Sequence, residues 1–173
     1  MGRSPFEAEV KFLGMIFDSK LTWTTHINTL RVEVKNSLNI LKVVSGFSWG
    51  ADKNTLLRLY NSLCRSKLDY GSVIYSSACK TLLKKLDVVH NLGLRICSGA
   101  FRTSPVESLY IDTEQLPLDL RREELGLRYL MKLKSSPGNP SYRVFHECDS
   151  KKFSARSHRE IRLYSRNVRR APC

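Results

Sequence analysis

The alternation of apolar and polar positions changes character twice along the chain. From Val10 to Phe17 the residues are nearly all apolar, broken by Gly14, and the run is too short for a typical helix, so it predicts a buried strand. Asp18-Ser19-Lys20 supplies turn chemistry, and Leu21-Thr22-Trp23 reads as a return strand. A hairpin of this size needs a sheet to join, so Phe12, Met15, Ile16 and Phe17 are expected to lack burial partners and to limit solubility.

After Trp23 the period lengthens. Ile27, Leu30, Val34, Leu38, Leu41 and Ser45 follow steps of three and four, predicting a helix that opens on Thr24 or Thr25 as cap and stops at Gly46. Arg31, Lys35 and Lys42 lie off that stripe. A second helix is predicted after Asp52, carrying Leu56, Leu59, Tyr60, Leu63 and Lys67 toward a break at Asp69-Tyr70-Gly71. Ser72 to Ser76 reads as helical or extended. Another helix spans Cys79 to Ser98, with Leu83, Leu86, Val89, Leu94 and Cys97 inward and Lys80, Lys84, Lys85 and Arg95 outward; Asn91-Leu92-Gly93 lies within it and weakens the helical signal at its middle. Ser104-Pro105-Val106-Glu107 reads as a capping box with proline at the first helical position, opening a short helix to Asp112. Leu120, Leu127, Leu130, Met131 and Lys134 mark a last helix, which the Pro/Gly-rich run from Ser135 to Pro140 must end. The predicted fold is therefore mainly α, a helical bundle preceded by a short N-terminal β-hairpin.

Charge adds a partner to this picture. Twenty-nine Lys and Arg against 16 Asp and Glu give +13 over 173 residues. Residues 151–173 hold eight cations and Glu160, or +7, which leaves +6 for the rest. A polyanion explains such an excess most simply, and a membrane surface is the competing polyanion. No apolar run approaches the roughly 20 residues that span a bilayer, and no apolar signal core follows Met1. Five cysteines at wide, irregular spacing fit neither a disulfide framework nor a zinc site. These features predict an intracellular protein, cytoplasmic or nuclear and not secreted.

The chain offers little catalytic chemistry. Asp18, Asp69, Asp87, Asp112 and Asp119 stand singly, where capping explains them, and Glu123-Glu124 beside Arg121-Arg122 reads as surface pairing. His146-Glu147-Cys148 with His158 lacks the close ligand pairs of a metal site, so no metal ligands and no catalytic residues are assigned. Cys64 and Cys97 fall on inward faces and read as core. Binding chemistry remains: Lys35, Lys42, Lys80, Lys84, Lys85 and Arg95 on helix faces, with Arg156, Arg159 and Arg162 in the tail, are candidates for phosphate contacts. Trp23, Phe47, Trp49, Tyr70 and Tyr75 offer stacking surfaces, although aromatic residues at helix ends more often plug cores.

In this order the features resemble non-LTR retrotransposon reverse transcriptases of the jockey and related clades. The residues that carry the likeness are Lys11-Phe12-Leu13-Gly14, Phe17-Asp18-Ser19-Lys20-Leu21-Thr22-Trp23, His26-Ile27, Leu59-Tyr60, Ser66 to Gly71, Leu86-Asp87, Val89-His90-Asn91, Leu94-Arg95, Gly99, Leu116-Pro117-Leu118 and Arg121-Arg122. The resemblance implies a primer grip at Lys11, Phe12, Leu13 and Gly14, within a palm-end hairpin at 1–23. It further implies a thumb-like helical domain at 24–136 and, at 137–173, a Pro/Gly break with a basic, flexible tail. The implied partner is an RNA/DNA template–primer duplex, bound weakly and without sequence preference. In the family the magnesium-binding aspartates lie upstream of this hairpin, so the chain alone is expected to need no cofactor and to be inactive as a polymerase. The alternative is a free-standing basic helical module that binds an acidic protein or a membrane surface.

Overall fold

A computed structural model describes residues 9–46, 50–136 and 138–142. Two strands, β1 (Glu9–Phe12) and β2 (Met15–Asp18), form an antiparallel hairpin. Helices follow as α1 (Thr24–Val44), α2 (Lys53–Tyr60), a π-helical turn (Asn61–Arg65), α3 (Ser66–Asp69), α4 (Ser72–Tyr75), α5 (Lys80–Ser98), α6 (Val106–Thr113) and α7 (Leu118–Lys134). The mainly helical fold with an N-terminal hairpin matches the apolar pattern. The chain divides into two compact units, Met1–Gly126 and Leu127–Cys173. In the second, Leu133 is buried and Ser135 Oγ closes the last turn of α7 by donating to the Lys132 carbonyl at 2.9 Å.

The core of the first unit lies where α1 and α5 pack together with the α2–α3 segment. Ile27, Val34, Leu38 and Leu41 from α1, Tyr60, Cys64 and Leu68 from the α2–α3 segment, and Leu86 and Leu94 from α5 are all essentially inaccessible. Each such aliphatic side chain contributes about 1.5–3 kcal/mol by leaving water. α5 runs unbroken through Asn91-Leu92-Gly93, and Gly93 belongs to this packing. A Cβ there would stand 2.4 Å from Tyr60 Cε2 and 3.0 Å from Leu38 Cδ2, so only glycine lets α5 approach this closely.

Several local expectations are corrected. Leu63 is half-buried and Lys67 exposed, while Cys64 and Leu68 face the core: Cys64 follows Tyr60 by four residues and shares its face of any helix, and the extra residue of the π-turn carries that face on to Leu68 in place of Lys67. Neither Thr24 nor Thr25 caps α1; Trp23 holds the cap position at φ 64° with no side-chain bond. Ser104 and Glu107 form no reciprocal cap, since Pro105 is extended at ψ 144° and α6 begins one residue later. In α7, Leu118 and Leu133 are buried, whereas Leu127 and Met131 are exposed. Asp52 caps α2 by accepting from Asn54 N and Thr55 N, as expected. Asp69 and Asp112 instead pair with cations: Arg121 at 2.9 Å for the first and Lys53 at 2.6 Å for the second. Asp87 lies within α5, where burial raises its pKa.

Candidate nucleic-acid interface

The hairpin turns at Leu13-Gly14, not at Asp18-Ser19-Lys20. Phe12 pairs with Met15, and the two residues between them adopt φ 46° and 80°. Positive φ at both centres gives a two-residue loop the twist its strands require, and Gly14 supplies one of those angles without strain. The polar triplet serves a different end. The Asp18 carboxylate accepts from the backbone N–H groups of Lys20, Thr22 and Trp23 at 2.8–3.0 Å, and from Thr22 Oγ1 at 3.1 Å. These bonds, led by that from the Thr22 N–H, hold its pKa below the usual carboxylate range. They fold Leu21-Thr22-Trp23 into the approach to α1, so this segment is no strand.

One side of the hairpin is seated on helices and the other is open. Met15 is buried, and its Sδ occupies the space beside Gly71: a Cβ on Gly71 would lie 2.1 Å from it, and φ there is 64°. Phe17 meets Trp23 edge-on with centroids 5.1 Å apart. Trp23 is itself buried, and its Nε1–H donates to Ser77 Oγ at 3.0 Å. His26 is buried against Tyr75, and its Nδ1 lies 3.5 Å from the Ile16 N–H on the outer edge of β2. Burial lowers the His26 pKa, which keeps the ring neutral and Nδ1 free to accept. Trp23 and Tyr75 are thus core plugs, and Met15 does not lack a burial partner. Phe47 and Trp49 lie outside the described residues.

Of the four grip-like positions, Lys11, Phe12, Leu13 and Gly14, all are exposed, with Phe12 at 63% and Leu13 at 72%. Tyr70, at 58% exposure, reaches this tip: its hydroxyl donates to the Leu13 carbonyl at 2.7 Å.

The helix-face cations separate into groups. Arg31, Lys35 and Lys42 are exposed on α1 at spacings of four and seven, which puts them in one row about 16 Å long at 1.5 Å per residue. Lys80 and Lys84 are exposed in the first turns of α5. Lys85 is half-buried there and donates to Asn28 Oδ1 at 3.4 Å, so the start of α5 lies beside the start of α1. Arg95 is not outward. It is half-buried and donates from Nη2 to the Ser104 carbonyl at 3.2 Å, because the 101–104 turn folds back on the end of α5. Arg156, Arg159 and Arg162 lie outside the described residues. Among the described residues no three His, Cys, Asp or Glu side chains stand together to hold a metal ion, and no helix is long and apolar enough to cross a membrane.

A second polar cluster lies inside the first unit. Tyr60 Oη and His90 Nδ1 are 2.5 Å apart, and Arg65 Nη1 is 3.5 Å from His90 Nε2. Arg65 also donates to the Leu116 carbonyl at 3.3 Å and pairs with Asp69, which Arg121 completes from α7. Burial and the Arg65 charge push the His90 pKa down to about 3, so the imidazole is neutral. The π-turn delivers Arg65 to this cluster, a placement that a regular helical count from Tyr60 does not give.

Over 122 residues, 67% of its length, the chain is 30% identical to the RNA-directed DNA polymerase from mobile element jockey of Drosophila melanogaster. Over 118 residues, 68% of its length, it is 25% identical to the jockey polymerase of Drosophila funebris. It is therefore related to jockey-like reverse transcriptases, and the match spans 12% of the length of each. No family model matches the chain, and no solved structure matches it.

Proposed function

We propose that this chain is the template–primer holding part of a retrotransposon RNA-directed DNA polymerase, with Lys11 to Gly14 as primer grip and the helical body from residue 24 to 136 as thumb. On this reading residues 137–173 form a basic extension, and the carboxylates that hold magnesium for nucleotide addition belong to another part of the polymerase. The chain's own task is then to hold a duplex without sequence preference and to place a primer end. The observation that carries the reading is an exposed hairpin tip, seated on a closed helical body, that leads directly into a helix with a solvent-facing row of Arg31, Lys35 and Lys42. A row of cations on a rigid helix suits a sugar–phosphate backbone, whose charges repeat along one line.

A salt titration tests it. Fluorescence anisotropy with an RNA/DNA template–primer should show binding that weakens steeply between 50 and 200 mM salt in the way counterion release requires, and R31E/K35E/K42E should lower the log–log slope by about 3. No measurable binding at the lowest salt would sink the proposal. A second reading rests on Val32, Ile40 and Val43, which are all more than half exposed on the same helix. They would suit an acidic protein partner with an apolar surface, whose binding would persist at high salt.

A further inference from the structure

The tip of the proposed grip is exposed, with Leu13 at 72%. β1 is exposed along all four residues and pairs only with β2 among the described residues. Leu13 sits at φ 46°, in the left-handed region that a leucine enters only when its surroundings hold it there. Tyr70 supplies a hold. Its hydroxyl donates to the Leu13 carbonyl at 2.7 Å, and its Cε1 would stand 3.8 Å from a Cβ on Gly14.

The side chain has no part in the core, since more than half of Tyr70 faces solvent. Its backbone, in contrast, is firmly placed. Asp69 before it is fixed by Arg65 and Arg121, and Gly71 after it receives the Met15 sulfur. Asp69-Tyr70-Gly71 therefore forms a saddle beneath the hairpin: glycine seats Met15, the first residue after the turn, and tyrosine reaches the turn itself.

We propose that Tyr70 is the positioning residue of the primer-end contact: its hydroxyl fixes the height of the Leu13-Gly14 turn over the helical body, and so fixes where Lys11 and Phe12 meet the sugar–phosphate end of a primer. This assignment rests on the primer-grip reading above. Loss of the hydroxyl releases the Leu13 side of the turn while Met15 stays seated at Gly71, so the core is left untouched.

The experiment compares the wild-type 173-residue chain with Tyr70→Phe, using hydrogen exchange of the peptide covering residues 9–18 and binding to two duplexes, one with a recessed primer 3′ end and one blunt. In Tyr70→Phe, exchange at the hairpin should rise about fivefold, the equivalent of one net hydrogen bond, and affinity for the recessed end should fall by a similar factor. Blunt-duplex binding and the thermal midpoint should hardly move. Unchanged exchange at the hairpin overturns the latch. Faster exchange with no change in recessed-end preference overturns the positioning role and leaves duplex holding intact. Failure of the wild-type chain to bind either duplex removes the grip reading itself and the positioning role with it, while the exchange result still reports whether the latch exists. Should Tyr70→Phe melt far below wild type, Tyr70 is a core determinant and the proposal fails.

Discussion

The helical body and the hairpin obey different physics. In the body, nine side chains from three segments exclude water almost completely, and even the ring of Tyr60 fits only because residue 93 is glycine. In the hairpin, Met15 is the one buried residue of the two strands, seated at Gly71, and the rest is fastened by separate contacts from Tyr70, Trp23, Thr25 and His26. A close-packed core resists any local change because every atom shares its neighbours. A mounted hairpin can be altered at one fastening without disturbing the others, which suits an element that must meet a ligand and leave the scaffold unmoved.

Matched truncations sharpen this contrast at its strongest point. Leu86→Ala should cost about 3 kcal/mol in urea unfolding, within the range for buried leucines that leave a cavity. A loss below about 1 kcal/mol would show that the body is loosely packed. Acid probes the same region more gently. In the unfolded chain His90 takes up a proton near its ordinary value of 6.5, whereas in the folded chain it does so only near 3. Between those pH values the unfolded state binds more protons, so this contribution is complete above 6.5 and is lost progressively as pH falls toward 3, at up to about 1.4 kcal/mol per pH unit. His26, also lowered by burial, adds in the same direction. Unfolding midpoints at pH 7, 5.5 and 4.5 should fall in that order, and His90→Gln should flatten the decline; an equal decline in that variant would remove His90 from the account. The smallest effect belongs to the hairpin, where Phe12→Ala should change stability by no more than about 0.5 kcal/mol. A cost near that of Leu86→Ala would erase the distinction between the two regions.

What was legible in the sequence follows the same division. The α1 stripe from Ile27 to Leu41 and the α5 stripe from Leu83 to Cys97 can be read because long amphipathic helices repeat one signal many times. The Asp52 cap was legible because one local interaction decides it. The hairpin turn was not. Asp18-Ser19-Lys20 has the composition of a turn, but the backbone turns at Leu13-Gly14, where a leucine accepts positive φ in a setting made by residues nearly sixty positions away. The π-turn left no local signal either: Leu68 displaces Lys67 from the inward face because the ladder gains one residue.

The candidate site was half legible. Lys35, Lys42, Lys80 and Lys84 could be placed outside from periodicity, and they are exposed. Arg95 occupies an equally polar position in the pattern but is drawn inward by the Ser104 carbonyl, a tertiary contact that no helical wheel contains. Tyr70 was visible as an aromatic residue near a helix end, but its role depends on the carbonyl it meets. Its neighbour Gly71 carries the stronger clue, because a glycine between a helix and a following turn marks both a left-handed backbone and a close approach.

The central claim is that the hairpin tip meets a primer end. The most direct test anneals a primer with a photoreactive 3′-terminal nucleotide to an RNA template, irradiates it with the chain at low salt, and maps the cross-linked peptide. The account predicts attachment within the peptide that contains Lys11, Phe12, Leu13 and Gly14. Attachment confined to helix faces or to residues 151–173, with the hairpin unmarked, would contradict it.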